Sequence, residues 1–161
     1  MRVKMICFDM DIVEEKWIWL DCDGTWIDLY GVKGWLEMLI NEDPTPYAIA
    51  EPLVNLSWLA RTIHELQEKN IKVGIISWLS KNGTKEYNEI VAKTKLEYFQ
   101  KRLPSVKFDA IHLIPYGTPK NSCGNGILFD DEERNREEWN GISFDEKNLI
   151  QNLRKILYSL G

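Results

Sequence analysis

The chain has 161 residues, with 20 Lys/Arg against 25 Asp/Glu and a formal net charge of -5. That length suits one domain, and 44% hydrophobic residues with seven Trp can fill a packed core. The acidic balance argues against a broad nucleic-acid-binding face. Three cysteines, Cys7, Cys22 and Cys123, form no C-x-x-C pair, which excludes a disulfide framework and a zinc site and points to a reducing cytoplasm. No apolar run approaches the roughly 18 residues that span a bilayer. The acidic N-terminus (Asp9, Asp11, Glu14, Glu15) does not resemble a signal peptide. A cytoplasmic protein with no membrane partner is expected. Between residues 71 and 120, nine Lys/Arg face four Asp/Glu, a basic stretch that could help attract an anionic substrate or simply be a solvated helix face.

In chain order, short apolar runs alternate with amphipathic stretches, the pattern of a mostly parallel sheet flanked by helices. Residues 1–16 form an extension with an apolar run of its own. Residues 17–20 predict a buried strand running into Asp21. Residues 26–55, with Pro44, Pro46 and Pro52, predict a small cap-like insertion. Residues 56–70 predict a helix with Leu56, Leu59, Ile63 and Leu66 on one face. A buried strand follows at 71–77. A helix over 84–103 starts after the Asn82-Gly83 turn and is closed by Pro104. Strands are expected at 108–114, 127–129 and 142–144. The last helix is predicted from Asp145, as N-cap, with Leu149, Leu153, Ile156 and Leu160 on one stripe. The expected fold is a three-layer, Rossmann-like α/β core with a mostly parallel central sheet, one domain spanning residues 1–161.

The strongest chemical signal is Asp21-Cys22-Asp23-Gly24-Thr25 directly after the apolar run Trp17-Ile18-Trp19-Leu20. Ligands of open parallel sheets collect at the carboxyl ends of strands, so both carboxylates fall where a site is expected. Gly24 frees the backbone for a tight turn beside them. Ser77 ends the next strand, where a hydroxyl can hold a phosphate oxygen. Lys120 can offset the charge of a phosphate; Lys81, nearer Ser77 in sequence, is its rival. Asp130 and Asp131 end the strand at 127–129 and offer hard oxygen donors suited to magnesium, although Asp131 could equally cap a helix. Trp26, Tyr30, Trp35 and Trp78 flank these motifs and could stack on a base or fill the space under the insertion. His64 and His112 lie away from every motif. Cys22 has no C-x5-R pattern around it and is expected to pack.

In that order along the chain, these motifs resemble the haloacid dehalogenase superfamily, from Trp17 to the C-terminus. The resemblance implies a magnesium-dependent phosphomonoester hydrolase. By it, Asp21 is the nucleophile that becomes an aspartyl-phosphate, and Asp23 is the general acid/base. Ser77 and Lys120 orient and neutralise the phosphate. Asp21, Asp130, Asp131 and the backbone carbonyl of Asp23 hold Mg2+. Gly24, Thr25, Trp26, Trp35 and Trp78 are expected to contact the substrate. Residues 127–139 (ILFDDEERNREEW), with Asn135 and Trp139, are most similar to the fourth motif of the 5'-deoxyribonucleotidase group and related phage and bacterial proteins. A small phosphorylated substrate is therefore expected, with nucleoside monophosphates favoured. The rival readings are a phosphatase for nucleic-acid ends or phosphoproteins and a catalytically weak binding module of the same fold. One departure stands out. The superfamily motif usually opens the chain, but here Phe8-Asp9-Met10-Asp11 comes first, followed by Ile12 and Val13 instead of Gly-Thr, and is rejected as the site.

Overall fold

The computed structural model describes residues 16–160, so the extension, its Phe8-Asp9-Met10-Asp11 run and Cys7 lie outside the described residues; Lys16 opens the first strand. Five strands, β1 (Lys16–Leu20), β2 (Ile71–Trp78), β3 (Ala110–Ile114), β4 (Ile127–Phe129) and β5 (Ser143–Phe144), form one sheet in the order β3-β2-β1-β4-β5. Every pairing is parallel. The chain runs outward from β1 to β3, then crosses back to β4 on the other side of β1. That reversal leaves a crevice beyond the carboxyl ends of β1 and β4.

Alternation along the strands sorts their side chains between the two faces. Ile18, Leu20, Val73, Ile75 and Phe129 enter the larger core, covered by three long helices: α3 (Leu56–Glu68), α4 (Lys85–Arg102) and the C-terminal α6 (Leu149–Leu160). Trp19, Ile76 and Leu128 enter a smaller cluster with Trp139, where the rings of Trp17 and Trp19 stack at 4.5 Å. Gly74 makes that stack possible, because a Cβ there would strike the Trp19 ring. Two short helices, α1 (Trp35–Ile40) and α2 (Thr45–Ile49), belong to the stretch between β1 and α3; α5 (Glu133–Glu138) links β4 to β5.

The helices begin where local chemistry lets them. Asn55 caps α3 through Trp58 N at 3.0 Å, and Leu59, Ile63 and Leu66 on its inner face are fully buried. Each such side chain contributes about 1.5–3 kcal/mol of burial. Thr84 caps α4 through Tyr87 N at 3.1 Å, and Lys101 and Arg102 complement the dipole in its last turn. The last helix departs from expectation: Asp145 does not open it. Its Oδ1 accepts from Lys147 N at 2.9 Å in a local turn, and Asn148 adopts φ 55, a left-handed conformation outside any helix. The helix therefore starts at Leu149.

Candidate active site

Strand register builds the centre of the site. Leu20 pairs with Phe129, so the next residues, Asp21 and Asp130, emerge side by side at the carboxyl edge, with Asp21 N bonded to Phe129 O at 2.9 Å. Between them lies Lys120, carried back under the crevice by the short 3-10 turn Lys120–Ser122 after Pro119. Its Nζ donates to Asp21 Oδ1 at 2.8 Å and to Asp130 Oδ2 at 2.6 Å, and it is 3% exposed. Lys81 is exposed and lies over the Tyr116 ring, so Lys120 is the lysine that meets the carboxylates. Thr25 Oγ1 donates to Asp21 Oδ2 at 2.9 Å and accepts from Asp131 N at 3.1 Å. Gly24 adopts φ +83, and a Cβ there would collide with the Asp131 carboxylate; the glycine leaves room for that side chain beside the β1 loop. Asp131 is not a helix cap either, since Glu132 precedes α5.

Asp23 is held apart from this cluster. Its Oδ2 accepts from Lys95 Nζ at 2.8 Å, and the same ammonium donates to Ser77 Oγ at 2.8 Å and to Trp78 O at 2.9 Å. The register explains Ser77. Leu20 pairs with Ile75, and continuing by two residues sets Ser77 beside Cys22, on the side of the larger core. Ser77 is 1% exposed and does not line the crevice, so its expected place against a phosphate gives way to a buried bond with Lys95.

The crevice is a cleft of about 690 Å³, within the usual range for small-molecule sites. Asp21, Asp23, Asp130 and Asp131 form its floor, and Tyr30, Trp35, Tyr47, Trp78 and Tyr116 are among its walls. Several wall residues come from the stretch between β1 and α3. That stretch is tied to the core where Glu42 Oε2 accepts from Thr84 N at 3.1 Å and Thr84 Oγ1 at 2.7 Å. Trp35 meets Tyr30 edge-on at 5.0 Å, and Trp78 meets Tyr116 at 4.7 Å. Both Trp35 and Trp78 line the cleft. Trp26 does not. It is fully buried against Tyr98 and Phe99, because the turn Cys22–Ile27 folds its ring back into the larger core. Gly24 and Thr25 also miss the cleft wall: their amides are spent on Ile27 O and Cys22 O, and Thr25 is 1% exposed. Cys22 is fully buried, and burial pushes its thiol well above the usual range, which suits packing and not nucleophilic attack. His64 bonds Ser105 O and His112 packs on Trp19, both away from the cleft.

Electrostatics separate the carboxyls. Burial raises Asp21, but the Lys120 ammonium, the neighbouring Asp131 and the charge of Lys95 together outweigh it and leave Asp21 below the usual carboxylate range. Burial and the charge of Asp21 push Asp130 to about 6, against the pull of Lys120. The same two causes push Asp131 up to about 9. Burial also raises Asp23, with Lys95 opposing. One lysine therefore does not balance the cluster, and burial with the neighbouring carboxylates favours the protonated form of Asp131.

Oxygens of Asp21, Asp130 and Asp131 lie within 4.8 Å of one another. Asn135 Nδ2 donates to Asp130 Oδ2 at 3.1 Å, while its own Oδ1 is buried with no partner. Hard oxygen donors, an excess of negative charge and an orphaned amide oxygen at the cleft fit a small divalent cation. The Asp23 carboxylate is not in this group. Among the described residues, no helix is long and apolar enough to cross a membrane. Searches of protein-family models and of curated proteins find no match to this chain.

Two residues outside the sequence-based site belong to this geometry. Asn135 was legible only as part of a motif resemblance. Lys95 left a different signal: it falls on the buried stripe of α4 with Tyr87, Val91 and Tyr98, where an apolar residue is the usual occupant.

Proposed function

We propose that this protein is a magnesium-dependent phosphomonoester hydrolase that works through an aspartyl-phosphate on Asp21. The observation that carries the reading is the separation of carboxyls in one cleft: Asp21 ionised against Lys120, and Asp23 held apart by Lys95. Two carboxyls whose surroundings shift them in opposite directions, Asp21 downward and Asp23 upward, suit a nucleophile and a general acid. An Asp21 oxygen bonds to phosphorus as the ester P–O bond breaks, and Asp23 gives its proton to the departing oxygen. Water then attacks the same phosphorus, returns a proton to Asp23, and frees inorganic phosphate and Asp21. Asp21, Asp130 and Asp131, with Asn135 beside them, would hold Mg2+, which shields the phosphate's charge from the incoming carboxylate.

The cation assignment has a consequence for stability. Asp131 keeps in the folded state a proton that the unfolded chain loses near 3.8, so folding takes up a proton between about pH 4 and 9. Stability of the metal-free protein should fall as pH rises across that window, with Asp130 adding to the fall between about 4 and 6. Asp131→Asn should stabilise the metal-free protein at pH 8 by about 1–3 kcal/mol and abolish most of the stabilisation by Mg2+. Urea denaturation at pH 5 and 8, in EDTA and in Mg2+, checks this. A wild-type stability that is flat with pH and indifferent to Mg2+ would remove the cation site from the account.

Nucleoside monophosphates are the favoured substrates, supported by the aromatic walls above the carboxylate floor. Trp35→Ala should lower kcat/KM for nucleotides by roughly five- to a hundredfold, the effect of losing one stacking contact of about 1–3 kcal/mol. Aryl phosphate turnover should change less, since the floor is untouched. A panel of nucleoside and sugar monophosphates tests this. If sugar phosphates of similar size are hydrolysed better, or Trp35→Ala weakens every substrate equally, the nucleotide reading fails and the hydrolase reading stands.

A further inference from the structure

We infer that Lys95 is a positioning residue for the hydrolysis proposed above, and that it anchors Asp23 so that its free oxygen faces the cleft. The inference rests on that reading. Lys95 is 3% exposed, on a helix face whose other buried members are Tyr87, Val91, Tyr98 and Phe99. An ammonium there is tolerable only if its protons are matched, and all three are, by Asp23 Oδ2, Ser77 Oγ and Trp78 O. The Tyr47 ring, 5.2 Å away, covers it from the insertion side.

What this arrangement does is specific. Ser77 and Trp78 end β2, where they pair with Leu113 and Ile114 of β3, while Ile71–Ile75 of the same strand pair with β1, so they are held in the sheet that also carries Asp21. Lys95 uses them to fix Asp23. One oxygen of Asp23 is thereby occupied, while Oδ1 takes no donor among the described residues and the side chain lines the cleft. Oδ1 is then the atom that carries the proton to the leaving oxygen as the P–O bond breaks. An apolar residue at position 95 would fill the helix face equally well but would leave Asp23 free to rotate.

The readout is the dependence on leaving group. An alkyl phosphate needs the proton from Asp23, whereas a p-nitrophenyl phosphate departs with little help. With Mg2+ present, Lys95→Met is expected to lower kcat/KM for an alkyl phosphomonoester by roughly 10²-fold more than for p-nitrophenyl phosphate, as misplacing a reacting group does. In an Asp23→Asn background the same substitution should add almost nothing. Should Lys95→Met not fold, Lys95→Gln, which keeps one donor, is measured in the same way. Equal losses on both esters, or a loss that multiplies with that of Asp23→Asn, would show Lys95 to be structural and overturn the inference. A wild-type protein that hydrolyses neither ester would instead remove the proposed function, and this inference with it.

Discussion

Asp21→Asn is expected to reduce Mg2+-dependent hydrolysis of an aryl phosphate by roughly 10⁴-fold or more, the scale on which removal of a nucleophile acts. Asparagine keeps the shape of the side chain, and Lys120 keeps its 2.6 Å bond to Asp130, so the floor of the cleft should hold together. What disappears is the attacking charge and one donor to the cation. Thermal denaturation alongside the kinetics separates lost chemistry from lost fold. Turnover near wild type in a folded Asp21→Asn protein would refute the mechanism.

Asp23→Asn should fail in a different way. Attack by Asp21 on a good leaving group needs little help, but breakdown of the acyl phosphate needs a base for the water. A phosphorylated protein should therefore accumulate in Asp23→Asn and not in Asp21→Asn, with steady-state turnover down by roughly 10²–10⁴-fold. Intact-mass measurement after brief exposure to substrate distinguishes the two. Equal phosphorylation of both variants would show that the roles are misassigned. The geometry gives a reason for the difference: Asp21 shares its oxygens with Lys120 and Thr25, whereas Asp23 answers to a separate lysine.

The sheet and the acidic floor were legible because they rest on local patterns. Apolar runs ending in acidic residues predicted β1 and β4, and parallel pairing of Leu20 with Phe129 then had to bring Asp21 beside Asp130. Lys120, whose rival in the sequence is Lys81, lies between those two carboxylates. Other features depended on information no local pattern carries. Ser77 sits at the expected strand end, but register turns it toward Cys22 and the larger core. Trp26 adjoins the motif in sequence, yet one tight turn takes its ring away from the cleft. Lys95 lies 72 residues from Asp23, and only the packing of α4 against the sheet brings them together. Asp145 looked like a cap because capping residues and turn residues are the same types; the left-handed Asn148 decided for the turn.

The most direct test of the central claim is release of inorganic phosphate by the wild-type protein from a panel of phosphomonoesters, with Mg2+ and with EDTA. The account predicts release from at least one ester in Mg2+ and its loss in EDTA, restored when Mg2+ is returned. No release from any ester, or release that persists undiminished in EDTA, would contradict it.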